Sequence, residues 1–205
     1  MTIWAIVPVK PLRLGKSRLA GVLSDDERAV LNRMFLEQTL DVLRNTPQIS
    51  QTLVISRDPA ALAIARELGA RTVLEDGTPN MNSALTRAAM LARNYATRGV
   101  LVLPADLPLL TREDLISFLS HLQKSPCVVI SPDRHENGTN ALLMSPGGLI
   151  KYDFGSDSFA RHCELARNAG ARLEIVRNQH IELDLDTPAD LILLKTIENP
   201  KLVGG

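Results

Sequence analysis

Short β-branched runs alternate along the chain with longer stretches in which apolar residues return every three or four positions. That rhythm predicts an α/β fold: a mostly parallel sheet with helices on both faces. The strand candidates are Ile3–Val9, Thr52–Ser56, Arg71–Leu74, Val100–Pro104, Cys127–Ser131, Asn140–Met144, Arg172–Val176 and His180–Leu185. Helices are expected over 25–44, 59–68, 82–97, 112–123, 157–169 and 188–196. Local signals mark their starts. In Ser24-Asp25-Asp26-Glu27 and Thr111-Arg112-Glu113-Asp114 a hydroxyl precedes an acid by three residues, the capping-box spacing, and Asp190 holds the same place after Thr187-Pro188. Gly69, Gly99 and Gly170 fall where helix C-terminal caps are expected.

From about Ser125 to Phe159 the rhythm changes, because two strand candidates follow one another across a Gly/Asn-containing loop with no helix between them. This predicts a small β insertion beside the main sheet. The whole pattern predicts a single domain over residues 1–199, with 200–205 a frayed tail.

Composition narrows the function classes. The 205 residues are 45% apolar and 22% charged, an ordinary globular balance. Lys plus Arg (23) equals Asp plus Glu (23), and no basic tract or aromatic platform offers itself to a polyanionic polymer, so nucleic acid is not an expected partner. The apolar opening before Lys10 is too short for a signal peptide or a membrane span, which argues against a membrane role. Cys127 and Cys163 lie far apart with no CxxC spacing; packing roles and a cytoplasmic location follow.

Three features carry candidate chemistry. The first strand runs into Pro8-Val9-Lys10-Pro11-Leu12-Arg13-Leu14-Gly15-Lys16-Ser17-Arg18-Leu19, whose cations and glycine suit a loop folded around a triphosphate; a solvated basic loop is the plainer reading. The loop is neither GxGxxG nor a Walker A sequence. The apolar strand Val100–Pro104 leads to Asp106, held between two prolines, where a carboxylate could bind Mg²⁺ or simply form a turn. In His180-Ile181-Glu182-Leu183-Asp184-Leu185-Asp186 a strand would put Glu182, Asp184 and Asp186 on one face, the pattern either of a cation site or of a half-exposed strand. A further region, Asn137-Gly138-Thr139-Asn140-Ala141-Leu142-Leu143 followed by Asp153-Phe154-Gly155-Ser156-Asp157-Ser158-Phe159-Ala160-Arg161-His162, brings a helix start that could hold an anion, with Ser156 as an ordinary N-cap in the competing reading. His162 is read as structural, with anion binding as the lesser alternative.

Taken in order, PVKPLRLGKSRL, PADLP, NGTNALL, FGSDSFARH and ELDLDTPADL resemble the CofC-type guanylyltransferase family of coenzyme F420 biosynthesis over nearly the whole chain. The resemblance implies a Rossmann-like nucleotidyltransferase fold of the glycosyltransferase-A type. It implies Mg²⁺, expected as two ions, at Asp106, Asp184 and Asp186, and nucleotide phosphates at Lys10, Lys16 and Arg18. It implies acceptor binding at Thr139, Gly155 and Ser158. Asn82 is a candidate for hydrogen bonding guanine or for capping a helix; Asn80 and Met81 depart from the family's usual Gly-Leu-Asn-containing segment. Catalysis is expected to fall to Asp106, Lys16 and Arg18. The implied reaction moves GMP from GTP onto phosphoenolpyruvate, 2-phospho-L-lactate or 3-phosphoglycerate, the first two favoured, and passes the product to a downstream transferase. A homodimer is compatible with the sequence. A molybdopterin-type nucleotidyltransferase and a non-catalytic nucleotide-binding module stand as alternatives.

Overall fold

The computed structural model describes residues 2–76, 80–95 and 97–198. The expected frayed tail, 200–205, and position 96 in the third predicted helix lie outside the described residues. The strands are β1 Ile3–Val9, β2 Ile49–Ser56, β3 Arg71–Leu74, β4 Gly99–Val102, β5 Cys127–Pro132, β6 Thr139–Ser145 and β7 Arg172–Ile175. The helices are α1 Asp25–Arg44, α2 Pro59–Glu67, α3 Met81–Arg93, α4 Arg112–Ser120, α5 Ser158–Asn168, the single turn α6 Gln179–Glu182, and α7 Pro188–Glu198.

The described strands form one seven-stranded sheet in the order β3-β2-β1-β4-β6-β5-β7. β1 pairs in parallel with β2 and with β4, and β2 in parallel with β3. β6 runs antiparallel to both β4 and β5, while β5 and β7 are parallel. The β hairpin therefore enters the sheet itself instead of lying beside it. Every residue of β6 is buried, so its pattern is that of an interior strand.

Alternation along β1 divides the core. Ile3, Ala5 and Val7 pack with Leu36, Leu40 and Leu43 of α1 and with Leu115 and Phe118 of α4. Trp4 and Ile6 point the other way, onto Ala84, Leu85, Ala88 and Ala92 of α3. Alanines on that face let α3 approach the sheet closely, and each fully buried leucine contributes about 2 kcal/mol. Helix starts follow the local chemistry: Ser24 with Glu27 and Thr111 with Asp114 form complete capping boxes. Cys127 and Cys163 are buried and unpaired, as packing residues. No helix among the described residues is long and apolar enough to cross a membrane.

The eighth strand candidate, His180–Leu185, is corrected. Asn178 caps α6 by accepting from the backbone N–H groups of His180 and Ile181, and this turns Gln179–Glu182 into a helix. Only the short segment after it is extended. Leu183 and Leu185 remain buried there, so the in-and-out alternation persists over the residues that matter.

The chain leaves β1 for β2 on one side of the sheet and later places β4 on the other side of β1. The carboxyl ends of β1 and β4 thus form the switch point at which open α/β sheets bind ligands.

Candidate active site

Pro8-Val9-Lys10 and Pro104-Ala105-Asp106 leave the sheet side by side at this switch point and line a cavity of about 390 Å³. The cationic loop is folded against the cavity by its own backbone. Leu14 and Gly15 N–H both donate to the Pro11 carbonyl, Leu12 N–H donates to Asp58 Oδ2 at 2.9 Å, and Asn32 Nδ2 donates to the Leu12 carbonyl at 2.7 Å. The loop ends at Lys16, which takes a left-handed backbone conformation with φ 57°. This turn aims its side chain inward, where only 5% of it is exposed.

The Lys16 ammonium bridges two acids that are 80 positions apart in sequence, donating to Asp106 Oδ2 at 2.5 Å and to Asp186 Oδ1 at 3.0 Å. Arg18 stands farther out, 3.8 Å from Asp186 Oδ2 and 73% exposed. Burial alone would lower the Lys16 pKa, but Asp106 and Asp186 outweigh it and hold the ammonium above its usual value. Asp184 completes the group. Burial, reinforced by the charges of Asp106 and Asp186, pushes its carboxyl up to about 6.

Backbone geometry explains why these acids meet. Leu185 N–H donates to the Asp106 carbonyl at 3.1 Å, pinning the segment between Asp184 and Asp186 to the end of β4. Asn140 of β6 donates to the carbonyls of Ile181 and Glu182 and, at 3.3 Å, to Asp184 Oδ1. Asp190 Oδ2 accepts from the N–H groups of Asp186 and Thr187 and from the Thr187 hydroxyl, while its Oδ1 pairs with Arg134. The capping role expected for Asp190 is present, and the same contacts fix Asp186. Among the described residues no His, Cys, Asp or Glu cluster forms a ready-made metal cage. The cation between Asp106 and Asp186 is Lys16. The donor chemistry nonetheless suits Mg²⁺, which takes oxygen ligands: the carboxylates of Asp106, Asp184 and Asp186 lie near one another.

A second centre lies where β6 meets α5. Asp133 organises the hairpin loop by accepting from the N–H groups of His135, Asn137 and Gly138. A Cβ on Gly138 would stand 2.9 Å from Asp133 Oδ2, which accounts for the glycine. Asn137 then accepts from Asp157 N–H through Oδ1 and from Phe159 N–H through its carbonyl, tying this loop to the start of α5. Gly155 has φ 131°, a conformation open only to glycine. Asp157, not Ser156, is the N-cap residue, and it makes no side-chain cap.

Thr139, Ser158 and His162 form a buried chain of hydrogen bonds. His162 Nε2 accepts from Asp153 N–H at 3.0 Å, so Nε2 is the bare nitrogen and the ring proton sits on Nδ1. Nδ1 accordingly donates to Thr139 Oγ1 at 3.0 Å, and Ser158 Oγ lies 3.2 Å from the same oxygen. Burial pushes the His162 pKa down to about 4, keeping the ring neutral. With Thr139 Oγ1 already accepting from the histidine, its hydroxyl proton or that of Ser158 is left to donate elsewhere.

The structure brings Lys16, Arg18, Asp106, Asp184 and Asp186 together, with Lys10 on the wall of the same cavity. Thr139 and Ser158 join one another through the His162 network, and Ser158 N–H donates to the Gly155 carbonyl. Asn82 is held by the Phe154 main chain, donating to its carbonyl at 3.2 Å and accepting from its N–H at 2.8 Å. The helix cap is Asn80, which accepts from Ser83 N–H. Sequence reasoning missed Asn140, whose signal was a polar residue inside an apolar strand, and Asp133, a turn aspartate four residues before the Asn137-Gly138 loop tip.

The family model for CofC-like guanylyl transferases matches residues 3–197. A phosphoenolpyruvate guanylyltransferase from Rubrobacter xylanophilus is 40% identical over 95% of this chain and 94% of its own length. A second protein of that name, from Sphaerobacter thermophilus, is 38% identical over 93% of this chain and 91% of its own. A 2-phospho-L-lactate guanylyltransferase from Methanothermobacter thermautotrophicus is 32% identical over 93% and 83%. Among solved structures, a protein assigned as a nucleotide-diphospho-sugar transferase from Desulfovibrio desulfuricans G20 superposes with a TM-score of 0.77 at 19% identity, covering 97% of this chain and 88% of its own. A nucleotidyl transferase from Methanothermobacter gives 0.63 at 13% identity, covering 95% and 96%. The two structures share the fold; the sequence match over 3–197, together with relatives at up to 40% identity, shows that this chain belongs to the CofC-like guanylyl transferase family.

Proposed function

We propose that this chain transfers GMP from GTP to the phosphate of a small phosphorylated carboxylic acid, releasing pyrophosphate, in coenzyme F420 biosynthesis. The observation that carries the reading is Lys16 bridging Asp106 and Asp186, with Asp184 beside them, at the cavity over the switch point. Phosphoenolpyruvate is the preferred acceptor, because relatives of that name reach 40% identity while the 2-phospho-L-lactate enzyme stands at 32%. The product is a mixed phosphoanhydride, which a downstream transferase would consume.

The acceptor's phosphate is largely dianionic at neutral pH, its second pKa being about 6, so no protein base has to deprotonate it. One of its oxygens attacks the α-phosphorus in line, and the bond to pyrophosphate breaks. The obstacle is repulsion between two polyanions. Lys10, Lys16 and Arg18 offset that repulsion from the loop side of the cavity. Lys16 has the decisive position: its ammonium can turn from the carboxylates toward a phosphate oxygen without leaving the site. Asp106, Asp184 and Asp186 would hold Mg²⁺, which when bound supplies charge to neutralise the triphosphate and to polarise the α-phosphoryl group. Asn140 and Asp190 keep those carboxylates in place. Thr139 and Ser158 offer a hydroxyl proton to the acceptor, and neutral His162 sets the direction of that donation.

The test is release of pyrophosphate from GTP by the purified chain with each candidate acid, with and without Mg²⁺. Release that depends on phosphoenolpyruvate or 2-phospho-L-lactate is expected. Pyrophosphate release at the same rate without any acid would contradict transfer to a phosphorylated acid, and GTP binding with no pyrophosphate release under any condition would favour a bare nucleotide-binding module.

A further inference from the structure

The cavity extends well beyond Asp106 and Asp186. Asp106 follows β4, Lys10 follows β1, Arg57 follows β2 and Glu75 follows β3, so the lining residues run along the carboxyl edge in strand order. Neighbouring strands lie about 4.8 Å apart, which puts the β3 end about 14 Å from the β4 end. That span is comparable to an extended nucleotide measured from its α-phosphate to the outer edge of its base. The walls at the β2 and β3 end are Ile55, Met81 and Ala84, apolar surfaces suited to the faces of a ring.

Set into this apolar end is one carboxylate, that of Glu75, whose side chain is only 14% exposed. It is held in place from two sides. Oε1 accepts from Asn80 N–H at 3.1 Å, and Oε2 lies 3.7 Å from Arg57 Nε. A carboxylate has about four lone-pair positions, so each oxygen keeps one for a ligand. The base that matches a pair of acceptors on one rigid group is guanine, which presents N1–H and the exocyclic N2–H side by side. Adenine presents a lone pair at N1 and would be repelled. Inosine's base keeps N1–H and lacks the exocyclic amine.

We propose that Glu75 reads the guanine base, accepting N1–H on one oxygen and N2–H on the other. This rests on GTP being the donor, and deepens that reading by naming the group that selects it. Glu75 is then a specificity-determining residue, remote from the reacting phosphorus. Asn80 and Arg57 position it.

The test compares kcat/KM for GTP, ITP and ATP in the intact chain and in Glu75→Gln, with phosphoenolpyruvate as acceptor and thermal melting as a check on folding. The wild type should prefer GTP to ITP by about 10- to 100-fold, the value of one hydrogen bond to a charged group. In Glu75→Gln that preference should collapse to within about threefold, while the KM for the acid stays unchanged. Displacement of a fluorescent guanine nucleotide by GDP and by IDP gives the same ratio at equilibrium, independent of turnover. Undiminished GTP over ITP discrimination in Glu75→Gln, by either measurement, overturns the assignment while leaving guanylyl transfer intact. A wild-type chain that turns over another triphosphate and not GTP overturns the transfer reading and this assignment with it.

Discussion

The Lys16 ammonium lies 2.5 Å from Asp106 Oδ2 and 3.0 Å from Asp186 Oδ1, a protein cation lodged between two acids that the family resemblance assigns to a metal. The charges of Asp106 and Asp186 are thereby partly compensated before any ligand arrives. The same lysine is positioned to exchange carboxylate partners for phosphate partners, so its removal should affect stability and turnover separately.

In Lys16→Met the three carboxylates lose the buried counter-charge between Asp106 and Asp186 and keep only the exposed Arg18 beside Asp186. The chain should lose about 3 kcal/mol, the low end for breaking a buried pair because Asp186 is 43% exposed. Added Mg²⁺ should raise the melting temperature of this variant more than that of the wild type, yet turnover should stay depressed. Thermal melts with and without the ion check the first point, and pyrophosphate release checks the second.

Asp106→Asn removes a candidate ligand and leaves Lys16 its contact with Asp186. Turnover should fall by about 10³-fold or more, in line with loss of electrostatic stabilisation at a reacting phosphoryl group. The melting temperature should change little. Full activity in a folded Asp106→Asn chain would remove Asp106 from the site.

Asn140 donates to two carbonyls of the α6 turn and to Asp184, so Asn140→Ala should cost about 2 kcal/mol and lower kcat at least tenfold. Asn140→Asp should be worse for stability, since it sets a further carboxylate against the group of three acids. Urea unfolding and steady-state kinetics measure the two effects.

His162 gives a pH signature. Its folded pKa of about 4 lies below the ordinary 6.5, so protons bind the unfolded chain more readily. The neutral ring's contribution is complete above pH 6.5 and is lost as pH falls toward 4, by about 3 kcal/mol. His162→Gln should lack this component. Urea unfolding of both chains at pH 7.5 and pH 4.5 should show a smaller loss in the variant; equal losses would mean that the ring is not held neutral by its surroundings. The variant should also raise the KM for the acid, because Thr139 loses the donor that orients its hydroxyl.

Much of this architecture was legible in the sequence, for identifiable reasons. Ser24 with Glu27 and Thr111 with Asp114 act within one turn, so spacing alone disclosed their caps. Asp106 and the Asp184 to Asp186 pair were legible because acids at the ends of apolar runs stand out. The α6 turn was not, because Ile181, Leu183 and Leu185 alternate as in a strand while the Asn178 cap overrides that pattern locally. The place of β6 between β4 and β5 depends on long-range pairing that no local signal encodes. The role of Asn140 likewise depends on partners more than 40 positions away in the chain.

The central claim is that the aspartate and lysine group at the switch point joins GMP to a phosphorylated acid. Incubation of the chain with GTP labelled at the α-phosphate, Mg²⁺ and, in turn, phosphoenolpyruvate, 2-phospho-L-lactate and 3-phosphoglycerate tests it most directly. Label should pass to a new guanosine diphospho-linked acid with one of the first two, and Asp106→Asn should not form it. Label that remains in GTP, or that appears only as GMP, with every acid would contradict the account.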